Sequence, residues 1–223
     1  MDKYDAYVNW LKARTDVPAE IIIGLKVGYE DVRLDTGGME AVPTDRLAAG
    51  GYDEERAIYQ TEAFGAGIPG AEPRTVHLGF DIFAPAGTPV FAVVAGTVHS
   101  FQDNAAALDY GPTILLEHTV TPDLTVWSLH GHLSRDSLVG LREGETVEAG
   151  QQIAKLGAED VNGGWLPHLH FQLILDIGDA RGDFPGVFRK SEREHWRRVC
   201  PDPRLFLGVP SSESRDIGLT RLL

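Results

Sequence analysis

Residues 168–175 read HLHFQLIL, a run in which polar and apolar side chains alternate. Because successive side chains of a strand point to opposite faces, His168, His170 and Gln172 share one face. The opposite face carries only leucine and phenylalanine. The run therefore predicts a strand that packs one face on an apolar core. Its other face holds two imidazoles, roughly 6–7 Å apart at their Cα atoms.

Short runs rich in Val, Ile, Phe and Leu precede this strand and are separated by glycine-containing turns. They are residues 79–83, 89–94, 96–101, 113–118, 125–130 and 151–156. Strands this short, spaced by turn signals and without helices between them, predict an antiparallel sheet. We therefore expect a mainly β fold, with the β domain at residues 63–180.

The N-terminal region, residues 1–62, has a different pattern. Apolar side chains at i, i+3, i+4 and i+7 predict a short amphipathic helix over residues 3–14. The apolar run at 21–27 predicts a strand. Residues 35–51 and 62–74 are rich in glycine and proline, which favours loops.

The C-terminal region, residues 181–223, is predicted to be an extension with one short helix. Ser191 and Glu194 have the spacing of a capping box, so a helix of about two turns should begin there. Cys200 and Pro201 should end it. The final stretch, 211–223, is interpreted as a tail or a linker.

The charge and the cysteine content exclude several classes of function. A formal net charge of −13 argues against a nucleic-acid partner, which needs clustered Lys and Arg. With Cys200 as its one cysteine, the chain can form no internal disulfide and no four-cysteine zinc site. No apolar run approaches the ~20 residues of a membrane span, and no secretory signal is visible. We therefore expect a cytoplasmic protein without a membrane partner.

A second pair of candidate metal ligands lies in HLGFD, residues 77–81. His77 and Asp81 are four residues apart and face the same side of an extended strand. Together with His170 they form a set of two histidines and one carboxylate, which leaves a fourth position open on zinc, as in catalytic sites. Zinc would lower the pKa of a bound water and polarise a carbonyl.

Five segments in a fixed order resemble the lysostaphin-type zinc metallopeptidases, a family of peptidoglycan endopeptidases. They are HLGFD (77–81), APAGTPVFAVVAGTV (84–98), HGHLS (130–134), VEAGQQIAKLG (147–157) and GGWLPHLHFQ (163–172). The resemblance spans residues 75–176. It implies a groove built on an antiparallel β-sheet, with short helical flanks at both ends of the chain.

The resemblance also implies roles for five residues. His77, Asp81 and His170 match the family's ligands to Zn²⁺, and His132 and His168 match its two other site histidines, which are catalytic. The implied reaction is hydrolysis of a peptide bond by a metal-activated water, with a peptide or a peptidoglycan fragment as substrate.

The chain departs from the family pattern in two places. His130 stands where the family has a tyrosine two residues before the catalytic histidine, which could alter substrate contacts. The stretch FQDNAAALDYGPT, residues 101–113, is longer than a simple hairpin and could reshape one wall of the groove. The flanking segments GGYDEER (50–56), RGDFPGV (181–187), SEREHW (191–196) and CPDPRLFLG (200–208) resemble a cytoplasmic fusion. In that arrangement such a domain lies between a phosphotransferase-like domain and a pyridoxal-phosphate aminotransferase. Covalently linked neighbouring domains are therefore expected.

Three other interpretations remain open. Residues 92–98 and 143–157 resemble the hammerhead of biotinyl and lipoyl carriers, but Lys155 lies within a predicted strand rather than at a hairpin tip. Two histidines and a carboxylate also describe the site of non-haem iron enzymes. A domain that binds metal and substrate without cleaving is the third.

The remaining histidines and the cysteine are interpreted as structural. His99 is expected at the surface at a strand end, His118 within the structure, and His195 in solvent on the C-terminal helix. Cys200 is expected to be a buried filler rather than a nucleophile.

Overall fold

The computed structural model of the protein describes residues 2–209 and is mainly β. Its strands are β1 (Glu30–Val32), β2 (Ala48–Gly50), β3 (Glu54–Glu55), β4 (Arg74–His77), β5 (Phe80–Phe83), β6 (Pro89–Phe91), β7 (Gly96–Asn104), β8 (Gly111–Thr121), β9 (Leu124–Gly131), β10 (Thr146–Val147), β11 (Gln152–Lys155), β12 (His168–Ile174) and β13 (Val187–Arg189). Its α-helices are α1 (Lys3–Ala13), α2 (Arg193–Val199) and α3 (Pro203–Leu207).

One eight-stranded sheet, in the order β1-β2-β5-β12-β9-β8-β7-β10, organises the molecule. Its described pairs are antiparallel except β1 and β2, which pair in parallel. The strand β12 lies between β5 and β9, so both of its edges are paired. The small sheet β13-β4-β3 and the pair β11-β6 complete the β structure. The predicted mainly β fold is confirmed.

The two faces of β12 have different neighbours, as the alternation in its sequence predicts. Leu169, Phe171 and Leu173 belong to the main apolar core. Tyr7 of α1 and Phe206 of α3 pack into the same core, so the two helices cover this face of the sheet. The histidine face of β12 is thereby left for the small sheet β13-β4-β3 and the loops around it.

The predicted strands of the β domain are confirmed, with small shifts at their ends. The strand predicted at 21–27 is wrong. Gly24 takes a φ of +96°, and the Val27 N–H donates to the Gly24 carbonyl, so this segment is a series of turns. Ile21 and Leu25 are nevertheless buried, which explains why the run is apolar.

The loop predicted at 35–51 is correct only in part. It contains a 3₁₀ turn, Met39–Ala41, and the strand β2, which pairs with β1 and β5. Both β1 and β2 have three residues, too few to show a period in sequence. The 62–74 loop is close to the structure, with a 3₁₀ turn at Glu62–Phe64 before β4.

The two predicted helices are confirmed as α1 and α2, whereas α3 was missed. The predicted capping box is wrong, because Ser191 lies in a preceding 3₁₀ turn, Lys190–Glu192. Its backbone N–H and its hydroxyl donate to the Glu72 carboxylate instead of capping α2. The predicted tail at 211–223 lies outside the described residues, and the boundaries at 62/63 and 180/181 stay predictions.

Across residues 2–209, no helix combines the length and the apolar character that crossing a membrane requires.

Candidate metal centre

Neighbouring strands bring the three predicted ligands together. In the antiparallel pair β5–β12, Asp81 lies directly opposite His170. His77 is the last residue of β4, three residues before β5 begins. A Cβ on Gly79, between them in sequence, would lie 2.2 Å from Cε1 of His170. The motif HLGFD therefore needs glycine at its centre for the ligands to approach.

The three side chains converge on one buried point. His77 Nε2 lies 3.3 Å and His170 Nδ1 lies 3.2 Å from Asp81 Oδ1. The two nitrogens are 2.9 Å apart. Each of the three residues is at most 3% exposed. They form the cluster of His, Cys and acidic side chains in the described part of the chain that has the spacing to hold a metal ion.

Hydrogen bonds on the far sides of the rings fix the tautomers. His77 Nδ1 donates to the Gly51 carbonyl at 2.8 Å, and His170 Nε2 donates to Gln172 Oε1 at 2.9 Å. The nitrogens that face each other therefore carry lone pairs. Asp81 Oδ1 is buried and accepts no hydrogen bond from the described residues. Three electron-pair donors facing one point, with no proton to share, fit a cation.

The electrostatics hold these groups in the states that a metal requires. Burial, with the nearby charge of Arg56, lowers the pKa of His77 to about 4. Burial alone would raise the pKa of Asp81, but His77 and Arg56 hold it well below its usual range. At neutral pH the imidazole is neutral and the carboxylate is charged, as metal ligands must be.

His132 and His168 lie beside this cluster, with ring centres 4.3 Å apart. Their Nδ1 atoms donate to the carbonyls of Asn162 and Leu166, at 2.8 Å and 2.7 Å. Each ring therefore presents an unprotonated Nε2, and that of His168 lies 3.8 Å from Asp81 Oδ1. Burial lowers the pKa of both rings, that of His132 well below its ordinary value. Both are thus neutral bases at pH 7.

His132 has an unusual backbone. Its φ is +62°, a left-handed conformation that residues other than glycine rarely adopt. Its N–H donates to the Tyr110 carbonyl, and its own carbonyl accepts from the Gly157 N–H. These bonds hold the strained residue in place, and strain of this kind is often found at functional sites.

Tyr110 belongs to the site, although it was not among the predicted site residues. Its ring centre lies 5.0 Å from that of His170 and 5.6 Å from that of His132. Its hydroxyl donates to the Phe184 carbonyl at 3.2 Å, and burial raises its pKa well above the usual value. Residues 106–110 line a cavity of about 370 Å³ over the histidines, so part of the 101–113 stretch forms one of its walls.

The N-terminal flank supplies further groups that sequence reasoning missed. Gly51 accepts the hydrogen bond from His77, and Arg56 donates to the Asp81 carboxylate. Both lie in GGYDEER, residues 50–56, whose resemblance was to the flanks of a fusion protein and not to a metal site.

His130, the departure from the family's tyrosine, lies outside the cavity. It packs on the core side of β12, with its ring centre 5.3 Å from that of Phe171, and Nδ1 donates to the Ile114 carbonyl at 3.3 Å. The His130 side chain therefore points away from the metal cluster and does not line the cavity, and the effect of the missing tyrosine on substrate contacts stays a prediction.

We expect His130 to make the stability of the metal-free protein sensitive to acid. Burial, with His118 nearby, lowers the pKa of His130 from 6.5 to about 3. Below pH 6.5 the His130 imidazole takes up a proton in the unfolded chain but stays neutral in the folded chain. The free energy of unfolding therefore decreases as the pH is lowered. By pH 5 this loss amounts to about 2 kcal/mol. Urea unfolding at pH 7 and pH 5 measures this decrease in the free energy of unfolding. In His130→Gln the decrease should be smaller than in the wild type by this amount. The same change at the exposed His195 should leave the fall as in the wild type, and an equal fall in His130→Gln would contradict the assignment.

The other histidines and the cysteine have structural positions. His118 is buried and bonded to the Ala95 carbonyl and the Ser128 hydroxyl, as expected, and His195 is exposed on α2. His99 lies within β7 and is half-buried, so its predicted place at a strand end is wrong. Cys200 is buried, and burial raises its pKa to about 12, which suits a filler.

The central part of the chain is similar in sequence to known proteins. Residues 75–180 match the sequence model of Peptidase family M23. The "uncharacterized lipoprotein YgeR" of Escherichia coli (strain K12) is 32% identical over 95 residues, which are 43% of this chain and 33% of that protein. The match thus spans about one third of the length of this curated relative.

Similar solved structures include two peptidases. The catalytic domain of the antimicrobial peptidase lysostaphin from Staphylococcus simulans is 26% identical, with a TM-score of 0.41, over 65% of this chain and 85% of that one. A zinc-containing peptidase from Vibrio cholerae is 29% identical, with a TM-score of 0.36, over 44% of this chain and 27% of that one. The family match confirms the resemblance that the ordered motifs indicate: residues 75–180, just under half of the chain, are similar to peptidase family M23.

Proposed function

We propose that this protein is a zinc-dependent endopeptidase or amidase that hydrolyses a peptide bond in a peptidoglycan-type or small peptide substrate. The observation that carries the proposal is the convergence of His77 Nε2, His170 Nδ1 and Asp81 Oδ1 on one point, at 2.9–3.3 Å from one another. The match of residues 75–180 to a peptidase family supports the same reaction class.

His77, Asp81 and His170 would hold the metal. Two imidazole nitrogens and one carboxylate oxygen suit Zn²⁺, and three protein ligands are typical of catalytic rather than structural zinc. When bound, zinc supplies Lewis acidity, which lowers the pKa of water and polarises a carbonyl oxygen.

His132 and His168 would move the protons of the reaction. Each has a free Nε2 beside the cluster, because each Nδ1 is engaged with a backbone carbonyl. A neutral imidazole at this position can take a proton from the attacking water and return it to the departing amine. The rings are held by strand β12 and by the strained His132 backbone, so both are oriented before substrate arrives.

The cavity over the cluster suits a peptide. Aromatic side chains line it, among them Phe64, Tyr110 and Trp165, and backbone segments at 106–110 and 183–187 form part of its walls. Charged side chains, among them Arg74 and Asp183, line it as well, so it offers apolar surface and hydrogen-bonding groups to a peptide. A peptide or peptidoglycan fragment is therefore the partner that we propose.

Incubation of the zinc-loaded protein with muropeptides and a peptide library should give products whose masses add up to one substrate and one water. Mass spectrometry of the mixtures checks this. Removal of the metal with a chelator should stop product formation, and added Zn²⁺ should restore it. If all substrates stay intact while some bind, the proposal fails in favour of a binding module that does not cleave.

The carrier interpretation gains no support, because Lys155 belongs to strand β11 as predicted and its backbone is bonded to the segment at 134–137. The cytoplasmic location and the covalently linked neighbouring domains stay predictions.

A further inference from the structure

We propose that Arg56, held by Glu54, is a positioning residue that decides which oxygen of Asp81 faces the metal. The inference rests on the zinc-binding part of the proposed function and not on the identity of the substrate. It assigns a role in the metal site to the N-terminal flank, outside the family match at residues 75–180.

The central contact is a buried ion pair. Arg56 Nη1 donates to Asp81 Oδ2 at 2.8 Å, and both side chains are 1% exposed. The bond occupies Oδ2 and leaves Oδ1 directed at the nitrogens of His77 and His170. The carboxylate is thus prepared to offer one oxygen rather than two.

Glu54 fixes the arginine from its other side. Its Oε2 accepts from Arg56 Nε at 2.9 Å, and its Oε1 accepts from the Leu34 N–H at 3.0 Å. Arg56 Nη1 also donates to the Tyr59 hydroxyl at 3.2 Å. A guanidinium with partners at both ends has one orientation, and lysine cannot reproduce this geometry.

Strand pairing places Glu54 and Arg56, which together are called the clamp, beside the metal ligands. Glu54 lies opposite His77 in the antiparallel pair β3–β4. The turn before β3 also supplies the Gly51 carbonyl that receives the His77 proton. Gly51 takes a φ of +95°, and a Cβ there would lie 1.8 Å from Arg56 Nη2. Residues 51–56 therefore orient two ligands at once, His77 through a carbonyl and Asp81 through a guanidinium.

Stability alone does not account for the clamp. Burying a guanidinium between two carboxylates costs desolvation, and an apolar replacement of such groups is often at least as stable. Partners that orient the ligands of a metal, in contrast, usually change its affinity by about 10–100-fold when they are removed. We therefore attribute the burial of Arg56 to the orientation of Asp81.

The test compares Arg56→Lys with Arg14→Lys in the full chain. Arg14 is a matched control, since its side chain is also 1% exposed and bonded to a carboxylate, that of Asp16, but it lies on the far side of the core. We expect the Kd for Zn²⁺, from chelator competition, to rise about 10–100-fold in Arg56→Lys and to stay within twofold of wild type in Arg14→Lys. The visible spectrum of the Co²⁺-loaded protein should change in Arg56→Lys alone, because a freed carboxylate alters the coordination of the ion.

Glu54→Gln keeps the size of the side chain and should shift both readouts in the same direction by less. If Arg56→Lys does not fold, as judged by circular dichroism, Glu54→Gln decides the matter by itself. Wild-type Kd and Co²⁺ spectrum in the folded Arg56 or Glu54 variant would overturn the inference. Failure of the wild-type protein to bind one equivalent of Zn²⁺ or Co²⁺ would instead contradict the proposed function.

Discussion

Replacing His170 with alanine will leave the protein without bound zinc and without hydrolytic activity. His170 Nδ1 lies within 3.2 Å of both other ligand atoms, so its loss removes one of three converging donors. Two remaining protein ligands are too few for a typical catalytic zinc site. Metal analysis of protein purified without added metal, together with the rate of peptide hydrolysis, measures both effects. Hydrolysis should fall to the rate of the solution without enzyme.

His195→Ala is the control for this variant, because His195 is exposed on α2 and lies outside the site. It should keep the zinc content and the hydrolysis rate of the wild type. Unchanged metal content in His170→Ala would show that the ligand assignment is wrong. Stoichiometric iron in the wild type would replace the zinc hypothesis with a non-haem iron site, whose ligand set is the same.

The sequence sufficed for the part of the site that lies on regular strands. In HLHFQLIL the alternation of polar and apolar residues places both histidines on one face, and β12 has this geometry. The spacing of His77 and Asp81 works in the same way, because a strand conformation places residues four apart on one side. His77 and His170 are 93 positions apart in sequence. The pairing of β5, which follows His77, with β12 brings them together, and the motif order implies this pairing but no local pattern reveals it.

The flanks could not be predicted because their structure depends on distant partners. Strands of two or three residues, such as β1 and β3, show no period, and their pairing with β2 and β4 defines them. Charged residues such as Glu54 and Arg56 are normally exposed, so a sequence gives no reason to bury them. Only the position of Asp81, in another segment, makes their burial possible.

Tyr110 shows the same limit from within the β domain. The length of the 101–113 stretch indicated an altered wall, but not which side chain would enter the cavity. Tyr110 reaches the histidines because the Trp165 indole and the His132 N–H donate to the backbone carbonyls of Asp109 and Tyr110. These bonds come from separate segments of the chain, and a loop shaped by them carries no local signal.

His132→Ala and His168→Ala should each keep zinc but lose most of the hydrolytic rate. Neither ring supplies one of the three converging ligand atoms, so metal content should match that of the wild type. Each supplies a neutral Nε2 beside the cluster, and the loss of a general acid or base typically slows a reaction by about 10²–10⁴-fold. Metal analysis and single-turnover hydrolysis of both variants check the two parts separately.

The rates and zinc contents of the single and double variants show whether the two histidines act together, and whether either one binds the metal. If the two histidines act on the same protons, the double variant should be little slower than either single one, because groups that act as a unit are not additive. Independent roles would multiply the two losses instead. A wild-type rate in either variant would exclude that ring from the reaction, whereas loss of zinc from either would make it a ligand. His168 Nε2 lies 3.8 Å from Asp81 Oδ1, close enough to act either on a proton or on the metal. The zinc content and the rate of His168→Ala therefore distinguish these two roles more sharply than those of His132→Ala.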